Sequence, residues 1–112
     1  MNSKVIYLLT GALLFAIGNG SANAAVNEAD AVKLLKVSKC LNCHDMSKTK
    51  KARSYKDIAA ANKGDKDATA RLTKHITVPS QTVVDGEDVD HGIAKTKDAA
   101  QVKNLVEWIL SR

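Results

Sequence analysis

Aromatic side chains are scarce, with one Trp, two Tyr and one Phe in 112 residues. Two of these, Tyr7 and Phe15, fall in an N-terminal segment that reads as a leader, so the remainder has only Tyr55 and Trp108 to give its core bulk. Cysteine is limited to Cys40 and Cys43. A bridge across three positions closes too small a loop to stabilise a domain, which excludes a disulfide scaffold. Strand-like composition is nearly missing: Thr82 to Val84 is a β-branched run outside the helical patterns and is too short to carry a sheet. After the leader there is no repeat, no low-complexity tract and no linker, so the chain is read as one small domain. Basic residues are not interleaved with aromatic ones, which removes the case for nucleic acid. No set of acids and bases suited to catalysis can be assembled, so the chain is not read as an enzyme.

Residues 1 to 24 have the form of a secretory signal. Lys4 supplies the positive start, Val5 to Ile17 the apolar run, and Ala22-Asn23-Ala24 a small-residue cleavage site. The run is short for a membrane span and no lipid-anchor cysteine follows, so export to the periplasm without stable membrane insertion is expected. The mature domain would be residues 25 to 112, 88 residues with 16 basic and 12 acidic side chains. A chain of that size buries only about 60% of its unfolded surface. With two aromatic residues it needs additional apolar bulk from elsewhere.

Helix signals recur through this domain. Asn27 can cap a helix that shows Ala31, Leu34 and Leu35 on one face and runs to about Ser38. Ser54 to Ala61 groups Tyr55, Ile58 and Ala59, with Gly64 as the turn beyond. Lys66 to Ile76 follows, with Asp65 as cap, Ala68, Leu72 and Ile76 as its stripe, and Pro79 as the stop. Asp98 and Gln101 form a capping-box pair ahead of Val102, Leu105, Val106, Ile109 and Leu110. The expected fold class is all-α.

The first helix delivers the chain to Cys40-Leu41-Asn42-Cys43-His44, the attachment pattern for c-type haem. Two thiols three residues apart can add to the two vinyl groups at one haem edge, while the next residue brings its imidazole to the iron. Haem would also supply the missing apolar bulk. A redox dithiol of the thioredoxin kind needs a β-α-β setting that the sequence does not offer. A structural zinc site needs a second ligand cluster. Neither agrees with the pentapeptide, the leader and the small core as well as one covalently attached haem c does.

On these residues the sequence resembles the class I cytochromes c, and among them the short bacterial cytochromes of the c-551 or c8 type. Besides Lys39 to His44, the resemblance rests on Ser54-Tyr55-Lys56-Asp57-Ile58-Ala59, on Ala70-Arg71-Leu72 leading to Ile76, and on the ending Leu105 to Ser111. It implies helices wrapped around one haem, with Leu105 and Trp108 packed where the first and last helices meet. It also implies a proximal ligand, His44, whose ring hydrogen-bonds a backbone carbonyl; the family's usual Gly-Pro at that place is Ala52-Arg53 here.

The family's distal methionine is missing. Met46 follows the proximal ligand too closely to reach the other side of the iron, and the slot seventeen residues before Trp108 holds His91. The resemblance therefore points to His91 as distal ligand, with Asp90 able to accept its ring N–H. Alternatives are His75, Lys95, a ligand from a partner chain and an open iron. Lys48, Lys50, Lys51, Arg53 and Lys56 after the haem motif face an acidic run, Asp85, Glu87, Asp88 and Asp90, before His91. Such runs are ordinarily solvated surface; opposite poles can also steer a partner. The functions implied are a single-electron carrier between periplasmic redox proteins, a haem subunit of a larger oxidoreductase, or a binder of small molecules such as nitric oxide or carbon monoxide.

Overall fold

The computed structural model describes residues 25 to 112, so the expected leader, residues 1 to 24, lies outside the described residues. Four helices account for most of the domain: α1 (Glu28–Val37), α2 (Tyr55–Ala61), α3 (Ala68–Thr77) and α4 (Ala99–Leu110). The Asn27 side chain caps α1 by accepting from the Asp30 N–H at 3.0 Å, which satisfies one of the four donors a helix start leaves free. Ser38 closes the helix, and Lys39 takes a left-handed conformation at φ 59°. That reversal drops the chain into a 3-10 turn at Cys40–Asn42.

Helix α2 begins at Ser54, whose hydroxyl accepts from the Asp57 N–H at 3.1 Å and is fully buried. A loop precedes it, pinned back on itself: the Ala52 N–H donates to Cys43 O at 2.9 Å and the Tyr55 N–H to Asp45 O at 3.0 Å. Replacing the cap tests how far this anchor matters. Ser54→Ala should cost about 1–2 kcal/mol, which lowers the melting midpoint of the haem-loaded protein by roughly 4–16 °C. A midpoint within a degree of the native one would mean that the buried hydroxyl contributes nothing.

Helix α3 starts two residues later than its sequence suggests. Asp65, expected as its cap, instead accepts from the Asp67 N–H at 2.8 Å and from the Arg71 guanidinium at 2.8 Å. The carboxylate therefore stabilises the turn before the helix, and Asp67 occupies the cap position without a side-chain bond.

Between α3 and α4 the chain forms an antiparallel hairpin, β1 (Gln81–Val84) with β2 (Glu87–Asp90), in the register Thr82↔Val89 and Val84↔Glu87. A sheet had not been expected here, because Thr82 to Val84 is short and its partner is acidic. The decisive element is Asp85-Gly86. Both residues have positive φ, 53° and 83°, as a two-residue hairpin turn that matches strand twist requires. The turn imposes the pairing despite poor strand composition.

The segment after the hairpin is tied down at three points: His91 N–H to Ser80 O at 2.8 Å, Ala94 N–H to Ile76 O at 2.7 Å, and Lys95 N–H to the Ser38 hydroxyl at 2.8 Å. Helix α4 then closes the domain on α1. Ala31, Leu34 and Leu35 of α1 pack with Leu105, Trp108 and Ile109 of α4, and Tyr55 of α2 completes the cluster. Asn27 and Asn104 exchange two hydrogen bonds of 2.8 and 2.9 Å at one end of this pair. Arg112 lies 4.4 Å over the Trp108 ring, a cation–π contact, and also reaches Glu28 at 3.3 Å beside the same end of α1.

Candidate haem site

Each helix turns one apolar side chain or more towards a shared cavity of about 600 Å³. Leu35 comes from α1, Ile58 from α2, Leu72 and Ile76 from α3, Leu105 and Ile109 from α4, and Val84 and Val89 from the hairpin. The volume and the apolar walls suit a bound organic group. Cys40, Cys43, His44, His75 and His91 line the same space.

Local structure sets one edge of the cavity. The His44 N–H donates to Cys40 O at 3.0 Å and the Cys43 N–H to the same oxygen at 3.3 Å, so the pentapeptide is a single turn. Cys40 and Cys43 are separate half-buried thiols. Burial raises the pKa of the Cys40 thiol, while backbone hydrogen bonding and the adjacent Tyr55 hydroxyl pull it partly back. The Tyr55 hydroxyl is itself held well above its ordinary value by burial and by Cys40.

His44 Nδ1 lies 2.6 Å from Arg53 O. A carbonyl only accepts, so Nδ1 carries the proton and Nε2 keeps its lone pair for a metal. Arg53 thus provides by its backbone the carbonyl acceptor expected for the proximal ring, and the pinned loop supplies the stiffness. Tyr55 backs the ring at a centroid distance of 5.2 Å and is in turn packed edge-on against Trp108 at 5.5 Å.

Facing His44 is the His91 ring, with 6.4 Å between centroids and an interplanar angle of 67°. A single metal atom fits between them, since two metal–nitrogen bonds of about 2 Å each together with the ring radii span that distance. Burial depresses the pKa of His91, with His75 and His44 adding to the shift. Its neutral form, the one that binds metal, is therefore favoured. Its Nδ1 is buried with no hydrogen-bond partner. Asp90, which the sequence offers as acceptor, borders the same cavity but makes no hydrogen bond to that ring.

By sequence His75 is an alternative to His91. The structure brings the two together, with ring centroids 4.0 Å apart. Met46 and Lys95 do not line the cavity; Met46 is exposed and Lys95 borders a separate groove with Lys39 and Lys97. Arg71 joins Lys51 and Arg53 at the cavity wall and is held by Asp65 and Asn62, a placement that its sequence position does not signal. Cations so placed suit the carboxylates of a haem. A spacing rule could not have shown this, because the two arginines lie on separate elements.

No protein-family model matches the chain, and no curated protein matches it. Solved structures do. Class 1 cytochrome MtoD from Sideroxydans lithotrophicus ES-1 is 36% identical with a TM-score of 0.73, the match covering 78% of this chain and 97% of that one. Wild-type cytochrome c552 of Nitrosomonas europaea is 28% identical with a TM-score of 0.56, over 71% of this chain and 96% of that one. A deletion mutant of the same cytochrome gives 28% and 0.57 with the same coverage. Fold, attachment turn and similarity along nearly the whole of a solved class 1 cytochrome agree: this chain belongs to the class 1 c-type cytochromes, whose cofactor is one covalently attached haem c.

Proposed function

We propose that the protein is an exported carrier of single electrons between periplasmic redox proteins, with its iron held between His44 and His91 and its haem bonded to Cys40 and Cys43. The observation that carries the reading is the pair of imidazoles facing one another 6.4 Å apart across the cavity. In an electron-transfer role the haem supplies a one-electron iron couple. What this chain's own residues do is hold that couple still. Arg53 O fixes the His44 tautomer, Tyr55 and Trp108 brace the ring, and Leu35, Leu105 and Ile109 keep water from the wall between α1 and α4. Two strong donors also leave no position free for substrate, and the reading assigns the chain no catalytic step of its own.

Magnetic circular dichroism in the near infrared, together with electron spin resonance of the oxidised protein, tests the ligand pair. Two imidazoles give a low-spin signal and charge-transfer band distinct from those of a histidine–methionine pair. His91→Ala should abolish the native signal; a native spectrum in that variant would remove His91 from the iron. Export is checked by intact mass, which should equal residues 25 to 112 plus one haem. A mass retaining residues 1 to 24 would refute the leader.

In the described residues no helix is long and apolar enough to cross a membrane. The same reading therefore treats residues 25 to 112 as a domain that meets its partners in the aqueous phase.

A further inference from the structure

His75 has no role in the ligand pair proposed above, yet its ring is packed on that of His91. The juxtaposition is built into the fold. His91 follows β2, and His75 lies in the last turn of α3; the two segments are joined on either side by Ala94 N–H to Ile76 O and His91 N–H to Ser80 O. Both side chains line the haem cavity. They differ in restraint. His91 is half-buried, whereas His75 is exposed and carries no hydrogen bond that fixes its ring.

The two sides of the iron also differ. His44 donates its Nδ1 proton to a carbonyl at 2.6 Å, whereas the His91 ring has only the Gly92 backbone beside it and no hydrogen bond of good geometry at Nδ1. An outer hydrogen bond orients a ligating imidazole and raises its basicity. The His91 ring is thus the less firmly oriented of the two.

We propose that His75 is a reserve distal ligand: when the bond between His91 and the iron opens, the neighbouring imidazole of His75 takes the vacated position and keeps the iron closed to outside molecules. The inference rests on the ligation by His44 and His91 proposed above. The exchange breaks one iron–nitrogen bond and forms another. One imidazole nitrogen replaces another, so no electron or further reactant is needed. A side chain at the exposed end of α3 can rotate into the space that the His91 ring leaves, because the two rings are already in contact. The device would hold the protein to electron transfer where a single labile ligand would let carbon monoxide, nitric oxide or cyanide in.

Three haem-loaded variants test this, read by spin resonance and near-infrared magnetic circular dichroism in the oxidised state and by carbon monoxide uptake after reduction. His91→Ala should remain low-spin with two nitrogen ligands but with a signal shifted from the native one. The double variant His91→Ala, His75→Ala should lose that signal, become high-spin and take up carbon monoxide. If His91→Ala is already high-spin and binds carbon monoxide as the double variant does, the reserve role is overturned while the ligation by His91 stands. If instead His91→Ala keeps the native signal and His75→Ala loses it, both readings fall, since His75 would then be the resident ligand. A double variant that keeps the signal of His91→Ala overturns the reserve role, because the iron is then held by a group other than His75. Should His91→Ala not accumulate, cyanide binding to oxidised native protein and to His75→Ala decides: the variant should bind faster because the opened iron is no longer recaptured, and equal rates overturn the proposal.

Discussion

Cys40→Ala, Cys43→Ala protein, purified without haem, should be largely unfolded. The reason lies in where the apolar side chains point. Leu35, Ile58, Leu72, Ile76, Leu105 and Ile109 come from all four helices and meet at one cavity of about 600 Å³. Left dry, a void of that size would cost on the order of 14 kcal/mol at ~24 cal/mol per Å³. Filled with water, it would expose the same walls that should stabilise the helices. Either cost is comparable with the whole stability of a domain this small, roughly 4–13 kcal/mol at ~0.05–0.15 kcal/mol per residue. The α1–α4 contact through Ala31, Leu34, Leu105 and Trp108 is well buried, so residual helix in those segments is expected, without a cooperative melt. Far-ultraviolet circular dichroism with thermal unfolding makes the comparison. A native-like helical spectrum and a single sharp transition in the haem-free variant would show that the chain folds without its cofactor.

The second large effect is on the reduction potential. Imidazole is a stronger donor than a thioether and favours oxidised iron, so a pair formed by His44 and His91 lowers the potential relative to a histidine–methionine pair. His91→Met, made in a His75→Ala background so that no other imidazole competes, should raise the midpoint by on the order of 0.1 V within the roughly 0.8 V range that axial ligands command. Spectroelectrochemical titration measures it directly, with the His75→Ala protein as reference. A midpoint that falls or does not move would contradict ligation by His91. The acidic side chains Asp85, Glu87, Asp88 and Asp90 lie on the exposed hairpin. Their influence on ferric charge is screened by solvent, so the ligand should outweigh them.

Local rules accounted for much of this molecule. Asn27 and Asp98 cap the helices that they were expected to cap, because a cap and the first turn lie within a few residues of one another. The buried faces at Ala31, Leu34, Leu35 and at Val102, Leu105, Val106, Ile109 follow from periodicity alone. The haem motif is five consecutive residues and needed no fold to be seen. His91 was different: its slot came through the resemblance to a family, and an isolated reading would have left it as one more residue of an acidic loop.

Features that join separate segments had to await the tertiary structure. Asp65 could equally cap a helix or brace a turn, and only the position of Arg71 settles which. The hairpin was legible in Asp85-Gly86 but was outweighed by the composition of its strands, since turn geometry and strand propensity are independent signals that here disagree. His75 and His91 are sixteen positions apart and were treated as rivals; backbone hydrogen bonds between α3 and the segment after β2 make them neighbours instead. Sequence determined what each short segment can form and which residues can bond a haem. Packing decided which side chains meet in the cavity, because distances between segments are set by the contacts of all four helices at once.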